Sequence, residues 1–172
     1  LRGAAIGSEG MFGVITRVLV RLIKQPTTFK TFLGIFESVD DACQSVSDII
    51  AAGIVPGALE MMDRLITQAV EEAYHFGFPL DAGAILIVEL DGMKDGVDAQ
   101  AIQVETICRE NRAREVRAAK DSAERAEIWK CRKRAFGAVG RISPNYVTQD
   151  GVVPRSKLPE IMRFINLTSK KC

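Results

Sequence analysis

The chain has 172 residues, about the length of one domain, with 47% apolar and 26% charged residues. Such a mixture can bury a core, which excludes a disordered or a collagen-like protein. Its 23 basic and 22 acidic residues give a net charge of +1, without the clear basic excess of a protein that binds nucleic acid, so nucleic acid is not expected as a partner.

The apolar runs and the start of the chain bear on its location. No apolar run reaches the roughly 18 residues of a membrane span, and Leu1 opens a Gly-rich run that lacks the form of a signal peptide. We therefore expect a cytoplasmic protein without a membrane span. Because the chain opens without Met and stops at Cys172 within a helical pattern, we also expect a fragment of a longer protein.

The first predicted element after the Gly-rich run is a strand over 13–23, where β-branched residues dominate and Arg17 and Arg21 fall on one face. Pro26 lies in a linker that ends it. The next pattern predicts a strand at 30–37, a helix capped by Ser38 and followed by Gly53, an extended stretch at 55–62 and a helix from Asp63 to Tyr74. A central strand at 84–90, a helix at 95–111 and an edge strand at 113–118 follow. The chain then continues with a helix from Asp121 to about residue 139, an extended stretch at 146–153 and a helix from 158 to about 165.

The alternation of strands and helices from residue 30 onward defines the fold class. Two split βαβ units, with helices on one face of an antiparallel sheet, fit this order, so an α+β ferredoxin-like domain is the preferred architecture. A doubly wound parallel sheet is the alternative, but it requires apolar strands throughout, and the strand at 113–118 carries several charges.

Four cysteines and one histidine are the candidate metal ligands. The cysteines form no CxxC pair, and Cys43 and Cys108 fall on apolar helical stripes, so buried free thiols are expected rather than disulfides. His75 follows a predicted helix, where a cation meets the negative end of the helix dipole. A lone histidine without a cysteine cluster predicts no metal site.

The Gly-rich loop GSEGMFG at 7–13 is the first candidate site. Glycines allow positive φ and let backbone N–H groups face a ligand, but this loop precedes a strand, whereas a Rossmann fingerprint joins a strand to a helix and a P-loop needs GK[ST]. By spacing alone, the loop is either a plain turn or a loop that contacts a ligand.

The run GSEGMFGVITRVLVRLI resembles the end of the flavin-binding domain in FAD-linked oxidases of the vanillyl-alcohol oxidase type. The resemblance implies that seven residues contact FAD: Gly7, Ser8, Glu9, Gly10, Gly13, Val14 and Ile15.

The second candidate site lies in the basic helical run IWKCRKRAF at 128–136. Most of its charges fit a solvated helix face. Trp129, Arg132 and Phe136 are three and four residues apart and share a face, and the two aromatic residues are expected to point inward together with Ala126. An arginine beside two aromatic side chains is either an anchored stem or a receptor for a carboxylate, which its planar group can hold through two hydrogen bonds.

The run IWKCRKRAFGAVGRISPNY, with QDGVVPRSKLPEI after it, is similar to the C-terminal domain in the branch of glycolate oxidase D-subunits and flavin-dependent D-lactate dehydrogenases. The similarity extends through nearly the whole chain. It implies that residues 1–26 are the incomplete tail of an FAD-binding domain and that residues 27–172 are a substrate domain incomplete at its C-terminus. The later histidines and acidic group of that family, which hold a divalent metal or act as the base, have no counterpart in this sequence.

The resemblance also implies the substrate contacts. In that branch the arginine of the W-x-x-R helix binds the substrate carboxylate, and here it is Arg132. Related hydroxyglutarate dehydrogenases add a threonine one turn later and a lysine on the following strand, where this sequence has Phe136 and Thr148. We therefore expect Arg132 and Thr148 at the substrate, and a short 2-hydroxy acid such as glycolate or D-lactate rather than 2-hydroxyglutarate.

The preferred function is part of an FAD-dependent dehydrogenase that oxidises a small 2-hydroxy acid by hydride transfer to flavin, with the fragment inactive alone. The catalytic base, the electron acceptor, partner subunits and a homodimer are left open. One alternative is a ferredoxin-like small-molecule-binding or regulatory module without catalysis, and another is a structural or interface role. A regulatory module has no reason to begin within a flavin-domain motif, which favours the enzyme.

Overall fold

The computed structural model of the chain describes residues 1–169 and 171. No helix in this part of the chain combines the length and the apolar character needed to cross a membrane. A short 3-10 helix, Arg155–Lys157, precedes the last helix. The strands are β1 (Thr28–Phe36), β2 (Ala58–Asp63), β3 (Ala84–Gly92) and β4 (Ala113–Ala118), and the helices are α1 (Arg2–Ala5), α2 (Val39–Ala51), α3 (Arg64–Tyr74), α4 (Lys94–Glu110), α5 (Ser122–Ile142) and α6 (Leu158–Ser169).

The four strands form one antiparallel sheet in the order β2-β3-β1-β4. Strands β1 and β2, although consecutive in the chain, are separated by β3, which is the arrangement of split βαβ units. Helix α3, between β2 and β3, adds to the plain four-stranded ferredoxin-like pattern. The predicted α+β class and antiparallel sheet are confirmed, as are the interior position of β3 and the edge position of β4.

The expectation of helices on one face of the sheet is wrong, because helices cover both faces. Helices α2 and α4 pack on the face that carries Leu86 and Val88, whereas α3 and α5 pack on the face that carries Ile85 and Ile87. Alternate residues of a strand point to opposite faces, so a strand between two cores needs apolar residues at every position. The continuous apolar run at 84–88 of β3 is therefore explained by burial on both sides.

Capping residues begin and end the helices where the sequence predicts them. Ser38, Asp63 and Asp121 each accept backbone N–H hydrogen bonds from the first turns of α2, α3 and α5, at 2.9–3.1 Å. His75 ends α3 in the left-handed region with φ of 55°, and Gly53 follows α2 with φ of 79°. These contacts satisfy backbone groups that have no partner inside a helix.

The cysteines of the described core are free thiols, as expected for Cys43 and Cys108. Both are buried, and Cys131 of α5 is buried as well. Burial raises the pKa of Cys43 and of Cys108 to about 11 and that of Cys131 to about 12, because a thiolate loses hydration in an apolar surrounding. These thiols act as small apolar side chains of the core.

Two stretches that the sequence predicts as extended contribute no strand to the sheet. Residues 13–27 contain neither helix nor strand, and Leu19 and Ile23 within them are largely exposed. Residues 143–154 also lack regular structure. β-branched composition favours a strand only where a neighbouring strand accepts its hydrogen bonds and buries one face. Among the described residues neither stretch has such a neighbour, so the predicted strand over 13–23 is wrong for this chain.

Helix α5 turns a different face to the core from the predicted one. Ala126 is exposed, and Phe136 is 53% exposed rather than inward-facing. Trp129 is half-buried at the boundary. Small side chains let the helix approach the sheet closely, which leaves the large aromatic residues at the edge of the contact. The buried residues of α5 are Ile128, Cys131, Ala135 and Ala138.

Candidate functional site

A cavity of about 330 Å³ opens between β2, α3, α5 and the segment at 146–148. Both predicted substrate residues, Arg132 and Thr148, line it together with Phe136. The structure therefore brings into one cavity the two residues that the family resemblance assigns to the substrate, together with Phe136. The other lining residues are Glu60, Met61, Met62, Ile66, Ala135, Val139, Tyr146 and Val147.

Arg132 reaches the cavity from α5, next to the buried Cys131, so its stem lies between the core and solvent. Its Nε donates a hydrogen bond to Glu60 Oε2 of β2 at 2.8 Å. About a third of each side chain is exposed. Within residues 1–169 no acceptor receives a hydrogen bond from Arg132 Nη1 or Nη2. The two donors at the end of the guanidinium group are thus available to a carboxylate.

Apolar side chains form most of the remaining cavity wall. Phe136 and Val139 extend the α5 side, and Tyr146 lies over Gly140 where the chain leaves the helix. Arg132 is the only cation among the described residues that line the cavity. The cavity wall thus combines one guanidinium group, one carboxylate and mainly apolar side chains, a lining that can hold a small molecule.

The predicted flavin-contacting loop lies away from this cavity. Gly7, Gly10 and Gly13 adopt positive φ of 78°, 84° and 149°, as expected for a glycine-rich turn. Ser8 Oγ donates to Ala5 O at 2.9 Å. Val14 and Ile15 are 88% and 61% exposed, and Gly10 and Glu9 are also exposed. No atom lies within 4 Å of a Cβ built on any of the three glycines.

These loop residues do not by themselves fit a flavin. An isoalloxazine ring needs a wall on each side, and the described part of the chain supplies only one open strip of backbone and exposed side chains. Contact of the loop with FAD stays a prediction from the resemblance.

Glu89 anchors a buried polar cluster that the sequence analysis missed. It lies on β3, is 9% exposed, and faces α5. Arg125 donates from Nε and Nη2 at 2.8 and 2.7 Å, Trp129 Nε1 donates at 2.6 Å, and Thr31 Oγ1 donates at 2.8 Å. Trp129 therefore turns to Glu89 and does not line the cavity of Arg132.

The ionisation of Glu89 follows from this surrounding. Burial alone raises the pKa of the Glu89 carboxyl, but the hydrogen bonds from Arg125, Trp129 and Thr31 favour the carboxylate and outweigh burial, so the pKa is lowered overall. Glu89 is thus a carboxylate at neutral pH, held between the sheet and α5.

The two acidic residues that the sequence analysis missed, Glu89 and Glu60, differ in how visible they are in the sequence. Glu89 interrupts the apolar run AILIVEL of a central strand, and a carboxylate there requires a partner because an unpaired buried charge is costly. That signal predicts a buried ion pair without naming the partner. Glu60 lies in ALEMMD, the sequence of the short strand β2, where nothing in the pattern distinguishes it from a surface residue.

No cluster of three or more histidine, cysteine or acidic side chains suited to a metal ion occurs among residues 1–169. His75, the histidine of the chain, lies at the end of α3 and not in the cavity.

The fold and the cavity define an α+β domain with a ferredoxin-like sheet and a mainly apolar cavity between β2 and α5. Residues 25–171 match the family described as FAD linked oxidases, C-terminal domain, so the chain belongs to that family. The match extends over most of the chain, and the resemblance inferred from the sequence motifs is confirmed.

Two relatives are glycolate oxidase subunits. The chain is 47% identical over 165 residues to glycolate oxidase subunit GlcD of Escherichia coli K12, covering 96% of this chain and 33% of that protein. It is 36% identical to the Bacillus subtilis subunit of the same name, covering 94% and 34%. A probable mitochondrial D-lactate dehydrogenase of Danio rerio is 29% identical, covering 91% and 32%. The chain spans about one third of the length of the curated relatives it matches.

Solved structures share the fold at low sequence identity. Alkyldihydroxyacetonephosphate synthase superposes with a TM-score of 0.58 at 19% identity, covering 79% of this chain and 28% of that one. p-Cresol methylhydroxylase superposes with a TM-score of 0.51 at 16% identity, covering 68% and 28%.

Proposed function

We propose that this chain is the substrate domain of an FAD-dependent dehydrogenase that oxidises a small 2-hydroxy acid such as glycolate or D-lactate. The observation that carries the proposal is the cavity in which Arg132, Phe136 and Thr148 meet. Membership of the FAD-linked oxidase family and similarity to glycolate oxidase subunits support the reaction class. FAD, when bound, supplies the redox chemistry, and the residues of this chain bind and orient the acid.

Arg132 orients the substrate in this proposal. With Nε engaged by Glu60, Nη1 and Nη2 hold the two carboxylate oxygens of the acid, which restrains both its position and its rotation. Thr148 lies on the exposed rim of the same cavity, where its hydroxyl can donate to or accept from a substrate oxygen. The bound acid then presents its Cα from a defined side of the domain.

The lining of the cavity favours an acid with a single carboxylate. Beyond Arg132 the wall continues with Ala135, Phe136 and Val139, which cannot neutralise a second carboxylate. An apolar surrounding without a cation penalises an extra charge strongly. Glycolate and D-lactate carry a single carboxylate, so they suit this wall.

Replacement of Arg132 tests the proposal in the complete flavoprotein that carries this chain. Arg132→Lys keeps the charge but removes the planar pair of donors, so we expect a higher KM and a kcat/KM for D-lactate or glycolate lower by about tenfold to a hundredfold. Arg109→Lys is the matched control, because Arg109 forms only a surface ion pair with Glu105 on α4. An unchanged kcat/KM in Arg132→Lys would remove Arg132 from the site.

Substrate comparison tests the proposed class directly. We expect the complete enzyme to oxidise glycolate or D-lactate with a higher kcat/KM than 2-hydroxyglutarate. Faster oxidation of 2-hydroxyglutarate would overturn the assignment to short acids. We also propose a cytoplasmic location, which cell fractionation tests. The enzyme passes its electrons to an acceptor, which dye-coupled assays of the complete enzyme would identify.

The visible spectrum of the 172-residue chain tests the contribution of the Gly-rich loop. Because the described loop offers FAD only one exposed surface, we expect no yellow flavin band after purification and dialysis. A stoichiometric flavin band would show that residues 1–172 hold the cofactor unaided and would contradict this reasoning.

A further inference from the structure

We propose that Glu60 determines the substrate class of the cavity, by positioning Arg132 and by repelling hydroxy acids that carry a second carboxylate. This inference rests on the function proposed above and adds a residue to it. Glu60 is the only anion among the described residues that line the cavity, and it lies on the sheet, opposite the helix that carries Arg132.

The positioning role follows from which nitrogen of Arg132 the carboxylate engages. Glu60 Oε2 accepts from Nε at 2.8 Å, at the side of the guanidinium group. A carboxylate bound at that side leaves Nη1 and Nη2 directed away from the sheet as a pair. Because β2 is paired with β3 along its length, Glu60 is held on a rigid element, and Arg132 is held with it.

Stability does not account for this ion pair. Both side chains are about one third exposed, and ion pairs with that exposure contribute little to folding free energy. The pair also lines an apolar cavity. A ligand that covers the two charged groups removes their water, and this cost must be offset by favourable contacts with the ligand. Binding a ligand through the remaining arginine donors is such a use.

The charge of Glu60 decides which ligands fit. Glu60 and Arg132 form an ion pair whose charges cancel in the cavity wall, and a monocarboxylate brings one negative charge directly against the guanidinium group. The second carboxylate of a dicarboxylate enters the same small cavity, where Glu60 repels it and no further described lining residue is a cation. For two negative charges about 6 Å apart in a surrounding with an effective dielectric constant of about 40, Coulomb's law gives a repulsion of about 1.4 kcal/mol, which corresponds to an affinity about tenfold lower.

Glu60→Gln separates the charge from the positioning role. The glutamine oxygen still accepts from Arg132 Nε, while the negative charge is removed. In the complete flavoprotein, we expect the ratio of kcat/KM for D-2-hydroxyglutarate to kcat/KM for D-lactate to rise about tenfold. Glu72→Gln is the matched control, since Glu72 is an exposed residue of α3 outside the cavity and its replacement changes the net charge equally.

Glu60→Leu removes the acceptor as well as the charge. Arg132 then loses its restraint, so we expect kcat/KM for D-lactate itself to fall about tenfold or more, with Glu60→Gln affected far less. Circular dichroism and thermal unfolding of both variants establish that the fold is kept. A loss in Glu60→Leu that is fully matched by Glu60→Gln would overturn the positioning role.

The outcomes separate this proposal from the one on which it rests. An unchanged substrate ratio in Glu60→Gln, with Arg132→Lys still impaired, overturns the role of Glu60 and leaves the proposed function standing. Normal activity of Arg132→Lys, or no oxidation of any 2-hydroxy acid by the wild type, overturns the proposed function itself. A rise in the ratio with Glu72→Gln as well would assign the effect to net charge and overturn the inference.

Discussion

Replacement of Glu89 by glutamine is the sharpest test of how α5 is held on the sheet. The carboxylate receives four hydrogen bonds, two from Arg125 and one each from Trp129 and Thr31. A glutamine side chain offers one oxygen acceptor. Its NH₂ group replaces the second carboxylate oxygen, so N–H donors of the glutamine face N–H or O–H donors of the neighbouring side chains. The variant keeps the volume of the side chain, so any loss of stability reports on the polar contacts and not on a cavity.

The size of the effect follows from these contacts. A hydrogen bond to a charged group contributes about 1.5–3 kcal/mol, but Arg125 is 37% exposed and can turn to water, which reduces its share. Trp129 Nε1, Thr31 Oγ1 and Arg125 Nε all donate to Oε2, so a glutamine oxygen at that position keeps these bonds only as bonds to a neutral acceptor, while the amide group faces Arg125 Nη2. We therefore expect Glu89→Gln to lower the free energy of unfolding by about 2–3 kcal/mol at pH 7. For a protein of this length, that corresponds to a fall in Tm of about 4–12 °C.

The pH dependence of the loss has a defined sign. The pKa of Glu89 is lowered in the folded state from the ordinary value of 4.5, so its stabilisation is present above that value and is lost as pH falls through the lower, folded-state pKa. The difference between wild type and Glu89→Gln should thus be constant from pH 8 to about pH 5 and shrink below about pH 4.5.

Urea unfolding followed by circular dichroism, at several pH values, measures this difference. Glu105→Gln is the control, because Glu105 forms a surface ion pair with Arg109 and its loss should cost less than about 0.5 kcal/mol. The single tryptophan, Trp129, reports independently, since its indole N–H loses a charged acceptor. A loss below 0.5 kcal/mol for Glu89→Gln, or one that grows at low pH, would refute the reasoning.

Two further predictions concern the core. Gly83→Ala should lower the free energy of unfolding by about 1–3 kcal/mol, because a Cβ there would lie 2.1 Å from the backbone oxygen of Glu37. Gly96→Ala should instead leave the free energy of unfolding unchanged or raise it by up to about 1 kcal/mol, because Gly96 lies inside α4 and nothing lies within 4 Å of the added Cβ. Equal effects of the two replacements in thermal unfolding would contradict this prediction. The thiols of Cys43, Cys108 and Cys131 should resist iodoacetamide at pH 8 in the folded chain and react in urea, as read by peptide mass mapping; rapid modification of folded Cys108 would show that its burial is not maintained.

The sequence predicted most of the sheet because its strands and helices carry local signals. Ser38, Asp63 and Asp121 mark helix starts through side chains that bond within three residues. The run at 84–90 marks a central strand because burial on two faces leaves no polar alternation. That same run also implied two covered faces, which the expectation of helices on one face overlooked.

The predictions that failed depend on distant partners. Residues 13–23 have the composition of a strand but no neighbour in the described chain, and pairing is a property of two segments. Three of the four buried residues of α5 are small, so a pattern weighted by large aromatic side chains placed Phe136 inward. Arg132 and Thr148 were placed together by resemblance to a family, whereas Glu60 had no such signal and became visible only through its bond to Arg132.

The contacts of α5 also limit how this helix can move. Beyond Ile128, its buried surface consists of Cys131, Ala135 and Ala138, three small residues at helical spacing. Apolar packing between such residues and a sheet has little directional preference, so a shift of one turn, about 5.4 Å along the axis, would replace one small side chain by another at modest cost.

The ionic contacts remove that freedom. Arg125 and Trp129 are bonded to β3 through Glu89, and Arg132, two turns beyond Arg125, is bonded to β2 through Glu60. Sliding or rotating the helix would separate charges on two adjacent strands at once. The register of α5 on the sheet is therefore set by a few directional bonds, and the position of Arg132 is fixed by the sheet itself.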